Sequence, residues 1–319
     1  MDDILKPIES LIPDLKHVTI SQTAIEKFAA NIKSDQLEGS EYNSETLLDN
    51  ATEEELICFT FVYNSVNFSY WGQPKWTIEV DGKNYDGSAA MIRALKRGAR
   101  ERNLLNADTL ANLSSKDLLH VFRGNVQIPL FTERLKLLNS LGKTIRDNYA
   151  SSFKSFIDQT GWNAEKLTHA LAEKMPDIFN DTVIYRKNHI HFYKRAQLVS
   201  AHLYDLARFN KIGQRINGFD KITAFADYKV PQLMRNMGIL IYNDELSNKI
   251  DNQIELQSGS EEEVEIRIST IWANEVATRK LKERIPYATA AEVDGIIWFA
   301  GQNNKEKIKP YHRTRTIWY

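Results

Sequence analysis

The sequence predicts a mainly α-helical single domain over residues 1–319, with a small β-hairpin set among the helices. Three observations point there. Apolar residues recur at helical spacing through most of the chain, only one short alternating run precedes a hairpin turn signal, and no internal repeat or linker-like stretch divides the sequence. Apolar residues make up 42% of the 319, enough to fill a core.

The elements follow in order. Residues 21–33 begin with cap-type residues and place Ile25, Phe28, Ala29 and Ile32 at helical spacing. Residues 34–44 are polar and predict a surface loop. Trp76-Thr77-Ile78-Glu79-Val80 reads as a strand, and Asp81-Gly82 after it as a hairpin turn. Tyr85-Asp86-Gly87-Ser88 then leads into an amphipathic helix through Met91, Ile92 and Leu95. Between 114 and 139 two helical segments flank a loop at 123–129. Helical patterns resume at 144–157 and 163–175, punctuated by Gly161 and Pro176. The clearest helix covers about 191–208, with Phe192, Ala196, Val199, Leu203 and Leu206 on one stripe. Pro231 suits the first turn of a helix that runs through Leu233, Met234 and Met237 and stops at Gly238. Residues 257–263 predict a loop.

Composition excludes whole classes. A charged fraction of 26% argues against disorder, and 41 Lys+Arg against 42 Asp+Glu argue against a protein that grips a nucleic-acid polymer. The balance hides an uneven distribution: residues 244–265 hold eight acids and one lysine, whereas 302–319 hold five Lys/Arg. The one cysteine, Cys58, cannot form an internal disulfide and sits in an apolar run as a small buried hydrophobe. With no secretory signal and no run of about 18 apolar residues, a cytoplasmic protein without a membrane partner is expected. Phosphate-loop, dinucleotide, zinc-protease and nucleophile-elbow motifs are absent. His189 and His191 are two apart, a spacing better suited to a strand than to a helical ligand pair, so neither metal nor cofactor is expected.

Three stretches carry candidate chemistry. Asn67-Phe68-Ser69-Tyr70-Trp71 could stack a flat heterocycle, worth about 1–3 kcal/mol per base, or simply pack in the core. In Phe192-Tyr193-Lys194-Arg195-Ala196-Gln197 two cations stand where the helix dipole disfavours them. They read either as an anion site or as a solvated basic turn. In Phe225-Ala226-Asp227-Tyr228-Lys229-Val230-Pro231-Gln232 the acid precedes a helix N-terminus, which keeps a carboxylate ionised. An ionised carboxylate beside an aromatic suits cleavage through an oxocarbenium-like transition state, and an N-capping Asp is the alternative.

At these blocks, and at Glu263-Val264-Glu265-Ile266-Arg267 and Tyr311-His312-Arg313-Thr314-Arg315-Thr316-Ile317-Trp318-Tyr319, the chain resembles the queuosine salvage protein family, the queuosine 5′-phosphate N-glycosylase/hydrolases. The resemblance implies hydrolysis of the N-glycosidic bond of queuosine 5′-monophosphate. The product would be queuine, a 7-deazaguanine base salvaged for transfer-RNA modification. It further implies a helical fold related to helix-hairpin-helix DNA glycosylases, a catalytic Asp227, and base contacts from Phe225 and Asp294. Where relatives can carry Tyr and a second Asp, this chain has Gly295 and Phe299.

The expected site therefore has Asp227 either attacking the anomeric carbon or stabilising the cation while water attacks. Phe225, Asp294, Phe68 and Trp71 would hold the base, and Lys194, Arg195 and Arg313 the phosphate. The expected partner is a small-molecule mononucleotide, with no nucleic-acid polymer, and the expected state is a monomer. Two rivals remain in view. A DNA-repair-type glycosylase is disfavoured by the near-neutral charge and by the lack of a Gly-x-Gly hairpin; a catalytically silent nucleotide-binding protein would use Asp227 only as a cap.

Overall fold

Among the described residues, nine helices begin at a side chain that accepts the N–H three residues on: Ser21, Thr52, Asn106, Ser114, Ser152, Asn163, Asn243, Ser260 and Thr289. Each satisfies a donor that the first helical turn leaves open, so short polar residues set where the helices start. The computed structural model describes residues 1–38, 48–302 and 308–319, and helices dominate it.

The hairpin forms where the turn chemistry requires it. Strands Thr77–Val80 and Lys83–Asp86 pair antiparallel, with Ile78 opposite Tyr85. Asp81 (φ 51°) and Gly82 (φ 73°) are both left-handed, as a type I′ turn demands. Helix Gly87–Arg102 follows directly.

Two more antiparallel pairs lie outside what the spacing predicted. Val18–Ile20 pairs with Leu240–Tyr242, a long-range contact without a local signal. Thr182–Tyr185 pairs with Asn188–His191 through a turn in which Arg186 (φ 46°) and Lys187 (φ 67°) are left-handed, with no glycine to mark it. That strand occupies 188–191, so the helix expected from about 191 starts at Lys194, after Tyr193 (φ 47°) turns the chain, and runs to Arg208.

Other expectations shift for local reasons. The pattern at 144–157 is broken, because helix Phe131–Asn148 ends before the left-handed Ala150 and Ser151, and Ser152 caps a new helix, Phe153–Asp158. The loop at 257–263 ends at Ser260; Glu261, Glu262 and Glu263 form the first turn of helix Glu261–Lys282, where acids complement the dipole. Within the expected loop at 34–44, residues Ser34–Glu38 form a short 3-10 turn that buries Leu37, and 39–44 lie outside the described residues. In the basic C-terminal stretch, Lys305 and Lys307 also lie outside them.

Apolar side chains gather in two clusters. Helix Glu261–Lys282 joins them: Val264, Ile268 and Ile271 enter the larger, Ile266, Ala273 and Ala277 the smaller. A helix apolar on several faces is one buried on several faces. Helix Glu53–Val66 is buried from Leu56 to Val66 and holds Cys58, whose thiol pKa burial pushes up. Among the described residues no helix is long and apolar enough to cross a membrane.

Candidate active site

A cavity of about 730 Å³ opens between these elements. Its walls come from the turn after helix Glu53–Val66, the start of helix Gly87–Arg102, helix Lys194–Arg208, the segment before helix Lys229–Asn236, helix Ala290–Gln302 and the C-terminal segment. That volume suits a small ligand with one heterocycle and a sugar.

Asp227 stands at the entry to helix Lys229–Asn236. Its Oδ1 accepts the backbone N–H groups of Lys229 (2.7 Å) and Val230 (2.9 Å). Both oxygen lone pairs used are on one atom, and Oδ2 makes no hydrogen bond among the described residues. The capping role and a chemical role thus fall on different oxygens of one carboxylate.

Asp294, on helix Ala290–Gln302, lines the same cavity and is 4% exposed. Its Oδ1 accepts the N–H of Phe225 at 2.9 Å. Burial first, and then the charge of Asp227, push its pKa well above the ordinary carboxylate range, while Lys194 opposes. A carboxyl group that burial keeps protonated more readily thus shares one space with a second carboxyl group, a pairing that marks a candidate functional site.

Aromatic rings supply the flat walls. Phe225, Trp71, Trp298 and Phe299 line the cavity, and Tyr228 and Tyr311 line it with ring centroids 4.9 Å apart. The Arg315 guanidinium stacks 3.5 Å from the Trp71 ring and donates to the Trp71 carbonyl at 3.0 Å. Lys194, the first residue of its helix, brings a cation to the wall. Lys75, Arg208 and Lys229 also line it; Lys75 pairs with Asp86 (3.2 Å) and Arg208 with Asp205 (3.2 Å).

Of the residues expected at a site, the cavity brings together Asp227, Phe225, Asp294, Trp71 and Lys194. It does not take in Phe68, Arg195 or Arg313. Phe68 is 1% exposed and packs against the Arg134 guanidinium, 4.2 Å from its ring centroid. Arg195 is 1% exposed and spends its guanidinium on the carbonyls of Asn64, Ser65 and Ile178. Burial lowers its pKa to about 9, and no solvent or cavity face remains for an anion. Arg313 lies outside the lining, 5.8 Å from the Trp71 ring.

The spacing missed a supporting set of buried arginines. Arg134 donates to the carbonyls of Pro129, Val66 and Phe68, and so holds the turn that carries Tyr70 and Trp71. Arg267 grips Asp181 through Nη1 (3.0 Å) and Nη2 (2.5 Å) and donates from Nε to the Ala226 carbonyl (3.1 Å). Burial pulls the Arg267 pKa down, but the charge and hydrogen bonds of Asp181, with Glu263 and Tyr319, together raise it. Arg267 belonged to a noted block; nothing in sequence separates Arg134 from a surface arginine. Among the described residues no cluster of His, Cys, Asp and Glu is arranged to hold a metal ion.

The family profile described as queuosine salvage protein matches residues 47–319. A queuosine 5′-phosphate N-glycosylase/hydrolase of Sphaerobacter thermophilus is 34% identical, with 99% of this chain and 97% of that protein covered. A protein of the same name from Mus musculus is 30% identical over 84% of this chain and 83% of its own. One from Schizosaccharomyces pombe is 25% identical over 81% and 78%.

Proposed function

The chain belongs to the queuosine salvage protein family, and from that premise we propose that it hydrolyses the N-glycosidic bond of queuosine 5′-phosphate and releases the base queuine for transfer-RNA modification. The observation that carries the reading is the meeting of Asp227 and Asp294 in one aromatic-walled cavity. Asp227 is the catalytic group: its Oδ2 faces the anomeric carbon as positive charge develops there, either attacking it or stabilising it for water. Asp294, in its neutral form, donates a hydrogen bond to the base, whose leaving electrons then gain a partner. Phe225 and Trp71 hold the base between apolar faces. Lys194 takes the phosphate, being the one of the three expected cations in the cavity wall. The cavity draws on both apolar clusters, which supports reading residues 1–319 as one domain. We take the helical fold as related to helix-hairpin-helix glycosylases, and the protein as a cytoplasmic monomer acting on a mononucleotide rather than a polymer.

The test is direct. Purified protein is incubated with queuosine 5′-phosphate and with queuosine, and free queuine is followed by mass spectrometry, with Asp227→Asn in parallel. Base release from the phosphate form is expected, lost in the variant. Folded protein that releases base from neither substrate would overturn the reading, and tight duplex DNA binding would favour a repair-type glycosylase.

A further inference from the structure

Arg267 and Asp181 form a buried ion pair outside the cavity: both are under 5% exposed, and neither lines it. Burying such a pair is costly, and similar-sized apolar residues often do as well for stability. Stability alone therefore explains the pair poorly. Its contacts explain it better. The Arg267 Nε–H reaches the carbonyl of Ala226, in the peptide group that leads into Asp227. The guanidinium also lies 3.7 Å from the Phe192 ring centroid and 4.6 Å from that of Tyr319. Asp181 works on the other wall, its own carbonyl accepting the N–H groups of Phe192 (2.8 Å) and Tyr193 (3.4 Å), just before Lys194.

One rigid unit on the buried helix Glu261–Lys282 thus ties the chain before Asp227 to the chain before Lys194. Three anchors then fix the Asp227 segment: Asp294 on the Phe225 N–H, Arg267 on the Ala226 carbonyl, and the Lys229 and Val230 N–H groups on Oδ1. Only the second comes from outside the cavity wall. Resting on the reading of Asp227 as the reacting carboxylate, we infer that Arg267, oriented by Asp181, is a positioning residue that sets where Asp227 Oδ2 stands relative to the phosphate-side wall.

The Ala226 contact supplies the test. Lysine in place of Arg267 can still neutralise Asp181, but a single ammonium cannot also reproduce the planar fork and the Nε–H to Ala226. Arg267→Lys is compared with the parent by kcat and KM for queuosine 5′-phosphate and by deuterium uptake of the peptide covering residues 223–232. The expected result is a kcat lowered about 10- to 100-fold, a KM within about threefold, and faster uptake confined to that peptide. A folded Arg267→Lys protein with kcat and uptake both within about twofold of the parent overturns the inference. Should that variant not fold, the isosteric Asp181→Asn replaces it, with the same expected direction and the same overturning result. Deuterium uptake needs no turnover, so a parent that releases no base would refute the proposed activity while uptake still judges Arg267.

Discussion

Asp294 Oδ1 accepts the backbone N–H of Phe225, two residues before Asp227, so the two acids of the cavity are tied through one short peptide. The bond fixes where Asp294 stands relative to Asp227, and each acid has a distinct consequence on substitution.

The first concerns pH. The folded-state pKa of Asp294 is raised above its ordinary 3.8, by burial and then by Asp227. In the window above 3.8 the folded protein keeps a proton that the unfolded chain has released. Its contribution is therefore complete below that value and is lost as pH rises through the raised pKa. Asparagine keeps an acceptor for Phe225 and never ionises. Urea unfolding from about pH 4 to pH 8 should show Asp294→Asn losing less stability than the parent. The alkaline decline of the parent's kcat should also be missing from the variant. Equal pH slopes would mean that another group titrates.

Asp227 separates its cap from its chemistry. Asp227→Asn keeps an Oδ1 for Lys229 and Val230, so thermal unfolding should stay close to the parent while kcat falls on the order of 10³-fold. Asp227→Ala loses both, and should cost about 1 kcal/mol of stability besides. An Asp227→Asn protein with full activity would remove the carboxylate from the mechanism.

Arg134 holds a wall by main-chain oxygens. Arg134→Met leaves the carbonyls of Pro129, Val66 and Phe68 without that donor in a buried setting. A loss of about 3 kcal/mol is expected in denaturant unfolding, with a raised KM from displaced Tyr70 and Trp71. Unchanged stability would show that the carbonyls find other donors.

Two helical glycines should answer oppositely to alanine. A Cβ on Gly295 meets nothing within 4 Å, so Gly295→Ala should stabilise by up to about 1 kcal/mol. A Cβ on Gly142 would sit 2.2 Å from the Ala111 backbone nitrogen, where helix Phe131–Asn148 crosses helix Ala107–Ala111, so Gly142→Ala should be strongly destabilising. Thermal melts of the two decide it. Larger residues at Gly295 would instead project into the cavity and change which bases fit.

Legibility followed the range of the interaction. The Asp81-Gly82 turn was readable because its backbone angles demand those residue types, and the Pro231 and Gly238 helix boundaries for the same reason. The pairing of Val18–Ile20 with Leu240–Tyr242 depends on tertiary packing and leaves no mark in three residues. Lys194 and Arg195 look equivalent as neighbours in sequence. On a helix of 3.6 residues per turn they point about 100° apart, one into the cavity and one into the core. Phe68 and Trp71 part similarly, across the left-handed Ser69 (φ 39°). Asp227 and Phe225 stand out in sequence as an acid before a helix N-terminus beside an aromatic, Asp294 only through the resemblance, and their meeting in one cavity is a property of the fold.

Buried arginines that reach main-chain carbonyls have a further effect. Every residue offers the same main-chain oxygen, so the segments held by Arg134, Arg195 and Arg267 can exchange their own side chains without releasing the grip. The frame stays put while the lining is free to vary, a division of labour that lets one scaffold be retuned to a different heterocycle by substitutions at the wall alone.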